Sequence, residues 1–116
     1  MINIKQATIN EVNELATLFD QYRIFYQKVG DVDGANRFLK ERIEKNESVI
    51  FVSFDDRGAM TGFTQLYPVF SSTRMKRLWL LNDLFVVNNH RGKGISVALI
   101  DKAKEHCKQT DRKSVV

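Results

Sequence analysis

Arg91, Gly92, Lys93, Gly94, Ile95 and Ser96 form the run of this sequence best suited to holding an anion. Leu78 to Val87, before it, is apolar and strand-like, and Val97 to Lys108, after it, reads as a helix. Glycines permit unusual dihedrals and close approach of a ligand to the backbone. The first N–H groups of a helix lack internal partners and sit at the positive end of its dipole, where a phosphate fits. A Walker loop is excluded, because Gly92 and Gly94 are too close together. The dinucleotide fingerprint G-x-G-x-x-G fails at its third glycine, where Val97 stands.

The elements that must position this turn can be read along the chain. Ile2 to Ala7 alternates as a first strand with Ile2 and Ile4 inward. Thr8 with Glu11 is a capping box. It opens a helix whose stripe is Val12, Leu15, Phe19, Tyr22 and Tyr26. Residues 30–34 interrupt it, and Asp33 is the expected N-cap of a second helix carrying Ala35, Phe38, Leu39 and Ile43. Ser48 to Phe54 reads as a strand, and Asp55-Asp56-Arg57-Gly58 as hairpin-turn chemistry. Ala59 to Tyr67 is its partner, with Pro68 limiting the ladder. In the last helix Ser96, Leu99, Ile100, Ala103 and Cys107 share a packing face. Residues 111–116 look like the start of another strand.

The 116 residues suit a single domain, 1–116. With 43% hydrophobic and 28% charged residues, the composition is that of a soluble globular protein. No apolar run approaches the roughly 20 residues of a membrane span, and no signal-peptide architecture opens the chain. The single cysteine, Cys107, excludes an internal disulfide and suits a cytoplasmic location. His90, His106 and Cys107 have no metal-ligand spacing, so no metal is expected. The net charge of +4 gathers partly in Arg74, Lys76, Arg77, Arg91 and Lys93, around the strand and its turn. A basic rim of this kind attracts an anionic ligand. No nucleic-acid-binding motif accompanies the charge.

Arg-Gly-x-Gly-Ile-Ser behind Asn82-Asp83-Leu84-Phe85-Val86 resembles the GNAT family of acetyl-CoA-dependent N-acetyltransferases. The family pattern places Gln or Arg three residues before the first glycine, where this chain has Asn89. Pro-Val-Phe-Ser-Ser, Pro68 to Ser72, is similar to the branch that includes polyamine and histone acetyltransferases. The resemblance implies an α+β (α/β) fold with a mixed sheet in the order β-α-α-β-β-β-α-β. It also implies a domain lacking its C-terminal strand, helix and hairpin. Acetyl-CoA is the implied co-substrate, its pyrophosphate on the backbone of Arg91 to Ser96. Phe85, Val86 and Val87 are implied to offer exposed backbone to it, with Phe85 or Val86 as the oxyanion donor. The acceptor is a primary amine, attacking directly in a ternary complex.

Acetyl transfer to an amine needs proton removal from the amine, a donor to the oxyanion and an acid for the thiolate. Asp83 is the candidate for amine recognition or base work, because a carboxylate in an apolar strand is costly to bury without a partner or a task. Its alternative is a rim position bonded to backbone or an arginine. Strand alternation allows only one of Asn82 and Asp83 to face the site. Tyr22, Tyr26 and Tyr67 are candidates to line an acceptor pocket or, alternatively, to pack with their hydroxyls at the core edge. Trp79 and Cys107 read as core and His90 as a solvent-exposed turn residue. In the family a tyrosine on a later helix commonly serves as general acid, and no residue here corresponds to it. Reduced activity and a homodimer follow as expectations. A non-catalytic acyl-CoA-binding or regulatory module and a structural dimerisation domain are the rival readings.

Overall fold

The computed structural model describes residues 2–110 and Arg112. Its elements are β1 (Asn3–Gln6), α1 (Val12–Phe25), α2 (Val32–Glu44), β2 (Val49–Phe54), β3 (Met60–Ser71), β4 (Lys76–Val86) and α3 (Ile95–Gln109). Short 3-10 turns at Ile9–Glu11 and Asn88–His90 lead into α1 and towards α3. The described strands form one sheet in the order β1-β2-β3-β4, every neighbouring pair antiparallel. A mixed sheet needs a parallel strand, and the strand expected over residues 111–116 lies outside those described, Arg112 apart.

Both faces of the sheet are covered. Along β2, Ile50 and Val52 join the cluster under α1 and α2, with Leu15, Phe19, Leu39 and Phe63. Phe51 joins the cluster under α3, with Leu66, Trp79, Leu99, Ala103 and Cys107. Side chains alternate across a strand, so a strand covered on both sides reads as continuous apolar sequence. Burying side chains of this size contributes about 1.5–3 kcal/mol each.

Local chemistry sets most boundaries. Thr8 and Glu11 make the expected capping box, the Thr8 N–H donating to Glu11 Oε1 at 2.6 Å. The second helix begins earlier than expected: Asp31 is its N-cap, accepting from the Gly34 N–H at 2.9 Å, and Asp33 lies in the first turn. Pro68 does not limit β3, which runs on to Ser71 and pairs Pro68 with Trp79. β2 reaches only as far as Leu66, so beyond it β3 has a partner on one side alone, an edge position that tolerates proline. Ile2 precedes β1 and is 38% exposed, leaving Ile4 to pack towards α3. On α3 the buried line starts at Ile95, not at Ser96, which is half-buried.

Candidate active site

The site begins with an irregularity in the β3–β4 ladder. Gln65 pairs with Asp83 and Leu66 with Leu81, which leaves Asn82 as an extra residue on β4. Such a bulge re-aims side chains locally. Asn82 and Asp83 consequently line the same cleft, and the expectation that only one could face it is overturned. Strict alternation fails where one strand carries an inserted residue.

Asp83 is buried, 6% exposed, and its carboxylate is held by two amides. Gln65 Nε2 donates to Oδ2 at 2.8 Å, and Asn82 Nδ2 donates to Oδ1 at 3.1 Å. The Thr64 hydroxyl donates to the Asp83 carbonyl at 2.8 Å. Asp83 is thus no rim residue paired with an arginine. Amide donors fix a carboxylate while leaving its charge uncompensated, which is costly in a buried place.

Above the carboxylate lies a cleft of about 540 Å³ walled by Phe19, Tyr22, Tyr26, Phe38 and Tyr67. Phe19 and Phe38 stack with centroids 5.9 Å apart, and Tyr22 and Tyr26 meet edge-on at 5.2 Å. Burial, then the charge of Asp83 and a hydrogen bond to it, push the Tyr22 hydroxyl well above its usual pKa. Tyr67 is pushed up in the same way, by burial first and by Asp83 second. The α1–α2 connection closing this cleft is anchored by Asp20. Its carboxylate accepts from the Asp31 N–H at 3.0 and 3.1 Å and from Arg23 Nη1 at 2.8 Å.

Beside the cleft runs a groove of about 640 Å³ between the end of β4 and the start of α3. Phe85 and Val86, Arg91 and Gly92, and Gly94 to Val97 line it. Gly92 and Gly94 have φ of 76° and 80°, with open space where a Cβ would stand. A side chain at either position is opposed by backbone strain, about 1–2 kcal/mol per residue, and not by crowding. The Arg91 side chain folds back: Nε donates to the Val86 carbonyl at 2.9 Å, and the guanidinium lies 5.6 Å from the ring centroids of Phe25 and Phe85. It fastens the turn to the strand end.

Two expected groove residues are placed differently. Val87 has its N–H bonded to the Thr61 carbonyl at 2.9 Å, so that N–H is not offered to a ligand, and its carbonyl already accepts from the His90 N–H at 3.0 Å. Lys93 lines a smaller pocket on the other side of the turn, with Asp55, Asp56 and His90. His90 is half-buried there, its Nε2 3.7 Å from Asp55 Oδ2, and not a solvent-exposed turn residue. Trp79 and Cys107 are core, and burial pushes the Cys107 thiol up, away from nucleophilic use. Among the described residues no cluster of three or more His, Cys, Asp or Glu could hold a metal ion. Among them, too, no helix is long and apolar enough to cross a membrane.

The sequence reading missed Gln65, Phe19 and Phe38 as site residues and Asn82 as a partner of Asp83. Thr64-Gln65 inside an otherwise apolar strand was the available signal. The two cavities share Tyr22 and Tyr26, and the Tyr22 ring is 5.9 Å from that of Phe85.

Comparison with known proteins bears on the family and the fold. The family described as "Acetyltransferase (GNAT) family" matches residues 14–115. A Bacillus subtilis (strain 168) protein named "Uncharacterized N-acetyltransferase YhfO" is 47% identical over 112 residues, 97% of this chain and 74% of that protein. A crystal structure of a probable acetyltransferase superposes with a TM-score of 0.90 at 36% identity, covering 97% of this chain and 76% of that one. A predicted acetyltransferase from Clostridium acetobutylicum, solved with acetyl-CoA, shares the fold with a TM-score of 0.81 at 13% identity, covering 100% of this chain and 79% of its own.

Proposed function

The chain belongs to the acetyltransferase (GNAT) family, and from that premise we propose that it transfers acetyl from acetyl-CoA to a primary amine by direct attack in a ternary complex. The observation that carries this reading is the junction of two cavities at Tyr22 and Tyr26, one ending on a buried carboxylate and the other on a glycine turn.

The groove suits the co-substrate. The backbone of Gly92, Lys93, Gly94, Ile95 and Ser96 would take the pyrophosphate at the N-terminus of α3. Arg91 steadies that turn, and Lys93 raises the local positive potential. Acetyl-CoA supplies an acyl group on a thiol leaving group, and the fold neighbour solved with it supports this choice. What remains falls to this chain's residues. Asp83, held by Gln65 and Asn82, receives the ammonium and takes its proton, freeing the nitrogen lone pair. As the C–N bond forms and the C–S bond breaks, a backbone N–H of Phe85 or Val86 faces the carbonyl oxygen. The Tyr22 hydroxyl, at the junction and hydrogen-bonded to Asp83, gives its proton to the departing thiolate and is reprotonated by Asp83, which then accepts the second proton shed by the nitrogen as the amide forms.

Calorimetry with acetyl-CoA and CoA, followed by a thiol-release assay across a panel of amines, tests the proposal. Binding of both and release with at least one amine is expected. Binding without release from any amine points instead to an acyl-CoA-binding module, and absence of binding refutes the assignment.

A further inference from the structure

The cleft over Asp83 has a second carboxylate in its lining, that of Asp31 at the start of α2. Asp31 caps that helix with one oxygen: Oδ1 accepts from the Gly34 N–H at 2.9 Å, and Oδ2 has no hydrogen-bond partner among the described residues. The residue is exposed. Asp20, close by, is engaged differently, by the Asp31 N–H and by Arg23 Nη1, so the Arg23 charge is compensated within the wall. Arg42, 4.7 Å over the Phe38 ring, is likewise compensated, by Glu41 at 2.6 Å and Glu47 at 3.0 Å. Lys28, the remaining cation of the lining, is exposed on a long stem that carries its charge into water. Among the described residues neither Asp83 nor Asp31 has an ion-pair partner. Most of the remaining wall is aromatic, and aromatic faces attract cations. Tyr26 is 61% exposed, so ring surface stands open to an occupant.

Only one of these carboxylates is used by the reaction, since Asp83 serves the nitrogen that is acetylated. Capping alone does not call for a charge at position 31, because asparagine caps a helix about as well as aspartate. Asp33, in the first turn, already sets a carboxylate at that end of the α2 dipole. Resting on the acetyl-transfer reading above, we infer that the acceptor is a small diamine and that Asp31 selects it. One nitrogen reacts at Asp83, and the other stays an ammonium that lies against the rings and donates to Asp31. The aliphatic chain joining the two packs on the aromatic wall. The volume of about 540 Å³ accommodates a small molecule of this kind.

The test compares putrescine and cadaverine with butylamine and pentylamine in the thiol-release assay. Each diamine is expected to exceed the monoamine of the same chain length in kcat/KM by about 10-fold, the scale of one hydrogen bond between charged groups. Asp31→Asn keeps an oxygen for the Gly34 N–H, so α2 remains capped while the charge is lost. It should raise the diamine KM by about 10-fold and act on kcat far less, because the end it binds is not the end that reacts. The ratio of diamine to monoamine kcat/KM should shrink accordingly, a change that a purely capping Asp31 would not produce. Monoamines used as well as diamines, or a ratio indifferent to Asp31→Asn, overturns the inference. If no amine is turned over, cadaverine is titrated into the CoA-bound protein by calorimetry. Binding that weakens by about 10-fold in Asp31→Asn then supports the inference, and no binding, or equal binding by both proteins, overturns it. Acetyl-CoA binding, measured separately, distinguishes the failures: retained, only the acceptor inference falls; lost, the acetyl-transfer reading falls with it.

Discussion

The groove at the glycine turn and the cleft over Asp83 share Tyr22 and Tyr26 but are built in opposite ways. Apart from those rings and Phe25, the lining of the groove comes from one stretch of chain, between Leu84 and Val97, and its defining property is backbone conformation. The cleft is assembled from side chains of α1, α2, β3 and β4, and its central bond joins Gln65 to Asp83 across 18 residues. A site of backbone is broken by changing dihedrals. A site of side chains is broken by changing functional groups.

The largest expected effect tests the side-chain half. Asp83→Asn is nearly isosteric and removes only charge and basicity. Acetyl-CoA affinity should hold while transfer falls by about 10²–10⁴-fold, the usual contribution of a positioned acid or base. Tyr22→Phe should lower transfer within the same range if its hydroxyl protonates the thiolate. Equal rates for wild type and Asp83→Asn at every pH between about 6 and 9 would return Asp83 to a structural role and dissolve the contrast between the two cavities.

The backbone half predicts the reverse pattern. Gly94→Val forces a β-branched residue into a left-handed conformation at φ 80°. The strain of about 1–2 kcal/mol, at about 1.4 kcal/mol per decade of affinity, corresponds to roughly a 10-fold loss of acetyl-CoA binding. Titration calorimetry on the folded variant measures it. Transfer at saturating acetyl-CoA should change less than affinity, and an unaltered Kd would remove the cradle assignment.

This difference in construction also decided what the sequence could reveal. The groove was legible because its chemistry is local: two glycines, a strand before them and a helix after. The capping box at Thr8 and the hairpin turn at Asp55 to Gly58 were legible for the same reason. The cleft was legible only in part. Asp83 stood out as a carboxylate among apolar neighbours, and the three tyrosines as possible wall residues. The bulge at Asn82 is a register fact of two paired strands, and no single strand encodes it visibly. Gln65 gained its role only when β3 was laid beside β4. Val87 looked available because its partner, Thr61, comes from a different strand.

A smaller effect tests how rigidly the cleft holds its carboxylate. Gln65→Leu keeps approximate volume but withdraws the donor from Asp83 Oδ2. Leaving a buried acceptor unsatisfied costs about 1–3 kcal/mol, which denaturant unfolding resolves. Transfer should suffer more than acetyl-CoA affinity, since the groove does not touch Gln65. Equal losses in both would mean that the two cavities are not separable units.

The smallest expected effect concerns the residue both cavities share. Tyr22 is driven above its usual pKa by burial, and next by the Asp83 charge and hydrogen bond. An acid whose folded pKa is raised holds its proton in the native state at pH values where the unfolded chain has released it. Its contribution to stability is therefore complete below about pH 10, the ordinary tyrosine value, and is lost as pH rises towards the raised pKa. The melting temperature of wild type should accordingly fall more steeply above about pH 10 than that of Tyr22→Phe. Tyr67 is raised in the same direction and is present in both proteins, so the comparison isolates Tyr22. Adding Asp83→Asn to wild type should reduce the excess slope without abolishing it, because burial is the larger cause and remains. Parallel curves for wild type and Tyr22→Phe would mean that the ring shared by the two cavities lies too close to water to carry a proton between them.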